Sequence, residues 1–184
     1  MKKIKLMIDP GHGGHDSGAI GSISQEKDLT LMYGLDLYFD ILNENKIEPY
    51  ITRNRDMYVS LHDRVLLAKE MNVDCFVSIH CNSFITESPN DSQVYYYNKE
   101  KDKPFADMIF TFIDDVNHKT SKWSGVKFGD YQVLREFNNT QVYAILIELG
   151  FISNREDEKM LNSFDFQKKM VKSIHNGIKS FFLL

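Results

Sequence analysis

The chain has 184 residues, 22 Lys+Arg against 26 Asp+Glu, and a formal net charge of −4. That length suits one domain, expected to run over residues 1–184, and a make-up 42% hydrophobic and 26% charged excludes disorder, collagen-like repeats and a disulfide miniprotein. No apolar run approaches the ~18 residues needed to cross a bilayer, and a mildly acidic chain lacks the positive field of non-specific nucleic-acid binders, so neither membrane nor nucleic acid is an expected partner.

Met1-Lys2-Lys3 gives the basic start of a signal peptide, but the apolar stretch after it is short and meets charge at once, so it reads as a first strand ending near Asp9. A Gly-rich turn follows, then a helix from about Gln25 to Asn43 with Leu31, Leu35, Tyr38 and Leu42 at helical spacing. A short strand is predicted at Pro49–Thr52. Ser60 and Asp63 form a capping pair for a second helix, in which Leu61, Val65 and Ala68 share one face. Val73–Cys81 is a further strand, residues 82–92 are turn-rich, and Val94–Tyr97 is a strand whose alternation sends Tyr96 to one face and Tyr95 and Tyr97 to the other. Pro104 sits in the first turn of a third helix carrying Phe105, Met108, Phe112 and Val116. A loop is predicted around Gly125 and Gly129, Ala144–Glu148 has the unbroken apolar character of a central strand, and a last helix over about Asp165–Phe182 aligns Phe166, Met170, Ile174, Ile178 and Phe181. Cys75 and Cys81 would be about 20 Å apart along one strand, too far for a disulfide, so both are expected to be buried free thiols.

Strands separated by helices point to an α/β fold, a mostly parallel sheet with helices on both faces. Ligands in such sheets bind beyond the carboxyl ends of the strands. His12 closes the first strand in Asp9-Pro10-Gly11-His12-Gly13-Gly14, His80 closes the cysteine-bearing strand, and Glu148 closes the apolar one. Glu26 opens the next helix; by position it reads first as a favourable charge in a helix's first turn and second as a partner of His12. A set of His12, Glu26 and His80 is two imidazoles and a carboxylate, the donor set of a catalytic zinc. Glu148 is then the separate carboxylate that moves the water's proton.

Five segments carry a resemblance: Asp9-Pro10-Gly11-His12-Gly13-Gly14 with Asp16-Ser17-Gly18-Ala19; Glu26-Lys27-Asp28-Leu29; Thr52-Arg53-Asn54-Arg55-Asp56; Ser78-Ile79-His80-Cys81-Asn82; and Ile147-Glu148-Leu149-Gly150-Phe151-Ile152-Ser153-Asn154. In this order the chain resembles zinc-dependent N-acetylmuramoyl-L-alanine amidases of the Amidase_3 type over nearly its whole length. The resemblance implies a twisted six-stranded sheet, one Zn2+ held by His12, Glu26 and His80, Glu148 as catalytic residue, and bacterial peptidoglycan as substrate, cut between N-acetylmuramic acid and L-alanine. A monomer is expected. Without a signal peptide in this stretch, the expectation is a cytoplasmic protein released by lysis, as for an endolysin, or a domain excised from a secreted autolysin.

The chain departs from the family pattern at Cys81, where Ala is frequent, at Asp91-Ser92-Gln93, where a Gly is frequent, and at Ser124, where an Arg is frequent. Cys81 should point away from His80 and pack rather than ligate. His15 is a rival to His12, and His62, His118 and His175 read as surface or helix histidines. Two other functions compete: a zinc peptidase acting on the peptide stem, separable by its products, and a non-catalytic wall-binding module, against which the intact His12, Glu26, His80 and Glu148 argue.

Overall fold

A computed structural model describes residues 3–117 and 121–184. The described strands are β1 (Ile4–Pro10), β2 (Ile47–Ile51), β3 (Cys75–Asn82), β4 (Gln93–Tyr96), β5 (Gly125–Phe128) and β6 (Tyr143–Phe151). They form one sheet in the order β2-β1-β3-β6-β4-β5. β1 pairs in parallel with β2 and β3, β3 with β6, and β4 with β5, while β4 runs antiparallel to β6. The sheet is therefore mixed and mostly parallel, as the alternation of elements implies.

Its two faces are covered separately. Leu6, Ile8, Val77, Ile79, Ile145 and Ile147 pack beneath helices α1 (Glu26–Leu42), α3 (Asp102–Asn117) and α6 (Phe164–Phe181). Met7, Phe76, Ala144 and Leu146, pointing the other way, pack beneath α2 (Leu61–Glu70) and the short α4 (Gln132–Arg135). Burial on both faces explains why β6 reads as an unbroken apolar run. A further helix, α5 (Arg155–Leu161), follows β6 and is capped by the Asn154 side chain, which accepts from Glu156 N and Asp157 N.

Most elements lie where the sequence places them. Ser60 Oγ accepts from Asp63 N at 3.1 Å and caps α2, although Leu61 is exposed rather than facing the core. The α6 stripe Phe166, Met170, Ile174 and Ile178 is buried. β2 covers Ile47–Ile51 rather than Pro49–Thr52.

Three expectations are corrected. The segment around Gly125 and Gly129 is an edge strand, β5, ordered by its ladder with β4. On α1 the buried line is Leu29, Tyr33, Leu37 and Ile41, not Leu31, Leu35, Tyr38 and Leu42. Both lines are apolar, so helical spacing cannot say which meets the sheet; Gly34, beside Pro10 of β1, settles it. On α3 the fully buried line is Phe105, Ile109 and Ile113, with Met108, Phe112 and Val116 only half-buried.

Candidate metal centre

β1, β3 and β6 are parallel neighbours, so their carboxyl ends meet at one edge of the sheet. Beyond Pro10 the chain turns sharply and His12 takes a left-handed φ of 61°. Gly11 is required here by close approach, because a Cβ on it would lie 2.2 Å from the His80 ring. His80 projects from β3 at an irregularity in its pairing with β6, between His80 and Asn82, the kind of distortion that re-aims a side chain. Glu26 enters from the first residue of α1.

The three side chains converge. Glu26 Oε1 lies 3.0 Å from His12 Nε2 and 3.0 Å from His80 Nδ1. Their ligand atoms all fall within 4.8 Å of one another. The imidazole rings meet edge to face at 4.9 Å. Asp16 Oδ2 holds His12 Nδ1 at 2.9 Å, which leaves Nε2 to face the cluster. Glu26 is 4% exposed; its Oε1 also accepts from Cys81 N at 3.0 Å and its Oε2 from Ala19 N at 2.8 Å.

Burial works against a charge on His12, but Glu26 and Asp16 outweigh it and raise the imidazole's pKa. Burial likewise pushes the Glu26 carboxyl up, and the hydrogen bonds and charges of His12 and His80 overcome it, holding the group well below the usual carboxylate range. Each imidazole nitrogen aimed at that anionic oxygen needs either a proton to donate to it or a cation shared with it. Two imidazoles with one carboxylate suit zinc.

Glu148 lies on β6 directly beside His80 in the β3–β6 register. It is buried, and its Oε2 has no hydrogen-bond partner. Burial, together with the nearby charge of Glu26, pushes its pKa well above the ordinary value. A cavity of about 270 Å³ opens beside His12 and His80, walled by Tyr58, Val59, Leu61 and Val133.

Comparison with known proteins assigns the architecture. The Amidase_3 profile, described as N-acetylmuramoyl-L-alanine amidase, matches residues 6–180. The chain belongs to the Amidase_3 family. It is 31% identical to the N-acetylmuramoyl-L-alanine amidase AmiC of Escherichia coli O6:H1 over 98% of its own length and 53% of AmiC. It is 35% identical to YqiI of Bacillus subtilis over 96% of its length and 84% of YqiI. It therefore spans about half of the first relative and most of the second. The catalytic domain of CwlV, an N-acetylmuramoyl-L-alanine amidase from Bacillus (Paenibacillus) polymyxa, superposes with a TM-score of 0.90 at 32% identity, covering 99% of this chain and 98% of that one.

Within this Amidase_3 fold the residues singled out from sequence fall into distinct places. His12, Glu26 and His80 come together, with Glu148 beside them; Glu148 does not end its strand, which continues to Phe151. Cys81 is buried in the apolar cluster with Val77 and Ile79, on the face opposite His80, and both cysteines are free. Tyr96 packs on one cluster and Tyr95 and Tyr97 on the other. Asp91 adopts φ 87°, a backbone that glycine takes freely, at the stretch where the family's glycine is missing. His15 packs on Tyr58 at 4.2 Å, His62 is exposed, and His118 lies outside the described residues. His175 is a helix residue rather than a surface one: it lies on α6, buried against α1, with Nδ1 2.5 Å from Asp40 Oδ2.

Several residues around the site carry weight to which the sequence assigns no role, although Arg53 lies in one of the segments that carry the resemblance. Gln93, the antiparallel partner of Glu148, accepts from Asn82 and Tyr95 on Oε1 and donates to Trp123 O. Glu158 of α5 accepts five hydrogen bonds from Ser22, Ile23 and Ser24, in the loop ahead of Glu26. Arg53 and Arg64 are both 2% exposed beneath the His12 turn.

Proposed function

We propose that residues 1–184 act as one catalytic domain that hydrolyses bacterial peptidoglycan at the amide between N-acetylmuramic acid and the L-alanine of the stem, using a zinc ion held by His12, Glu26 and His80. The observation that carries this reading is the convergence of that donor set beside a buried, unpartnered carboxylate oxygen in a chain of the Amidase_3 family. AmiC and CwlV, by their names, have this activity. When bound, the metal would supply positive charge that polarises the scissile carbonyl and makes water a stronger acid.

The chain's own residues do the rest. Asp16 fixes the His12 tautomer by accepting its Nδ1–H, leaving Nε2 as the donor atom. Cys81 N–H and Ala19 N–H hold Glu26 so that its carboxylate does not swing. Glu148 accepts the proton of the attacking water and hands it to the departing alanine amine. Burial raises its pKa, which makes the carboxylate a stronger base toward that water.

Glu148→Gln decides the assignment. It should retain zinc while turnover on purified cell walls falls at least ~100-fold; an active variant overturns the role. His80→Ala should lose the metal, and chelator should abolish wall clearing. The products should be glycan strands and peptides with a free L-alanine amino terminus; alanine left on muramic acid would mean a stem peptidase instead.

A further inference from the structure

The turn that carries His12 is held from below in an unusual way. His12, Gly13 and Gly14 take positive φ in succession, at 61°, 125° and 61°, and of these only His12 lacks glycine's freedom to do so. Gly13 and Asp16 bond each other's backbone, while the carbonyls of Pro10, Gly11 and His12 are each claimed by a buried guanidinium. Arg64 Nη1 donates to Pro10 O at 2.6 Å and its Nη2 to His12 O at 2.7 Å. Arg53 Nε donates to Pro10 O at 3.0 Å and its Nη2 to Gly11 O at 2.8 Å.

The same Arg53 Nη2 reaches Lys27 O at 2.7 Å and Thr30 Oγ1 at 3.0 Å, in the first turns of α1. Thr30 Oγ1 itself donates to Gly11 O at 2.7 Å. One guanidinium thus ties the turn bearing His12 to the helix that begins with Glu26. Arg64 is further fixed by Asp9 Oδ1 at 2.7 Å, and Asp9 by Thr52 Oγ1 at 2.7 Å. Burying two guanidiniums is unfavourable unless their donors are placed, and here the placement is on three consecutive carbonyls around one candidate ligand. Arginine suits this where lysine does not, because its planar fork presents donors in fixed directions. The Thr52–Asp56 segment, singled out by resemblance but outside the metal donor set, thereby has a task.

We propose that Arg53 and Arg64, with Thr30, are positioning residues that set His12 against Glu26 by bonding the carbonyls of residues 10–12. The proposal rests on the metal-site reading above. Its test uses cobalt(II) as a spectroscopic probe of the full chain, with the metal-free protein titrated and its visible absorption followed. Arg53→Lys and Arg64→Lys keep the charge and lose the fork. Each should weaken cobalt binding about 10–100-fold and change the band shape, which a merely structural role would not do. Lysine variants with the native affinity and spectrum overturn the proposal. Should neither lysine variant fold, Thr30→Val, nearly isosteric, carries the same test: several-fold weaker binding supports the cradle and unchanged binding overturns it. Cobalt retained by His12→Ala would instead overturn the metal-site reading, so the two failures are distinguishable.

Discussion

Glu158→Gln isolates how much the loop ahead of Glu26 depends on one buried carboxylate. Glu158 is 2% exposed. Its Oε1 accepts from Ile23 N at 2.9 Å, Ser24 N at 3.1 Å and Ser24 Oγ at 3.0 Å, and its Oε2 from Ser22 N at 3.0 Å and Ser22 Oγ at 2.7 Å. A glutamine amide oriented best keeps the three bonds on the oxygen side and turns its NH2 toward Ser22. The Ser22 hydroxyl rotates to water, so the loss is one backbone donor facing a donor, plus the charge on the bonds that remain. At ~1 kcal/mol for the displaced bond and a few tenths for each weakened one, the change comes to about 1.5 kcal/mol. For a protein of this size that lowers Tm by about 3–6 °C, readable by calorimetry or urea unfolding of the metal-free protein. Burial pushes the Glu158 carboxyl up, but the donors of Ile23, Ser22 and Ser24 outweigh it and its pKa is lowered. Its stabilisation is therefore complete above the unfolded pKa and disappears as pH falls through the folded one, so the wild-type and Glu158→Gln midpoints should converge on acidification from pH 7 toward 3. Equal midpoints at pH 7, or a gap that does not narrow in acid, would refute this account of the loop.

Two further outcomes follow from packing. Gly34→Ala should destabilise the protein by about 1–3 kcal/mol in urea unfolding, although alanine is the better helix former, because its Cβ would sit 2.5 Å from Pro10 Cγ; a stabilised variant would contradict the closeness of α1 to β1. Burial pushes the thiols of Cys75 and Cys81 up, so neither should react with a disulfide reagent at pH 8 until the protein unfolds, and rapid native-state labelling would contradict their burial.

The strand ends were legible because a parallel sheet converts order along the chain into neighbourhood in space: His12, His80 and Glu148 each end or nearly end an apolar stretch. Glu26 was ambiguous by position, since a first-turn acid is favourable in any helix, and only the fold brings its oxygen to both imidazoles. β5 escaped notice because a four-residue strand that begins on one glycine and ends before another has no period of its own and is ordered by β4. The buried line of α1 was misassigned because both candidate lines are apolar. Arg53, Arg64 and Glu158 act on backbone groups far along the chain, and side-chain identity alone does not report which carbonyls or amides will be left without partners. His175 reads from sequence only as a surface or helix residue, and its burial on α6 was not legible because its partners, Asp40 of α1 and Glu44 just beyond it, are more than 130 residues away in the chain.

The reversal of β4 gives the connection over residues 83–92 a particular freedom. β3 ends at the edge where His12, Glu26 and His80 converge, and β4, running against β6, begins there. The chain leaves the sheet and re-enters it on the same side, with no crossover helix to accommodate. Doubling such a loop adds only about 0.6 kcal/mol of closure entropy, so this connection can gain or lose residues while the strands and the cluster of His12, Glu26 and His80 stay as they are.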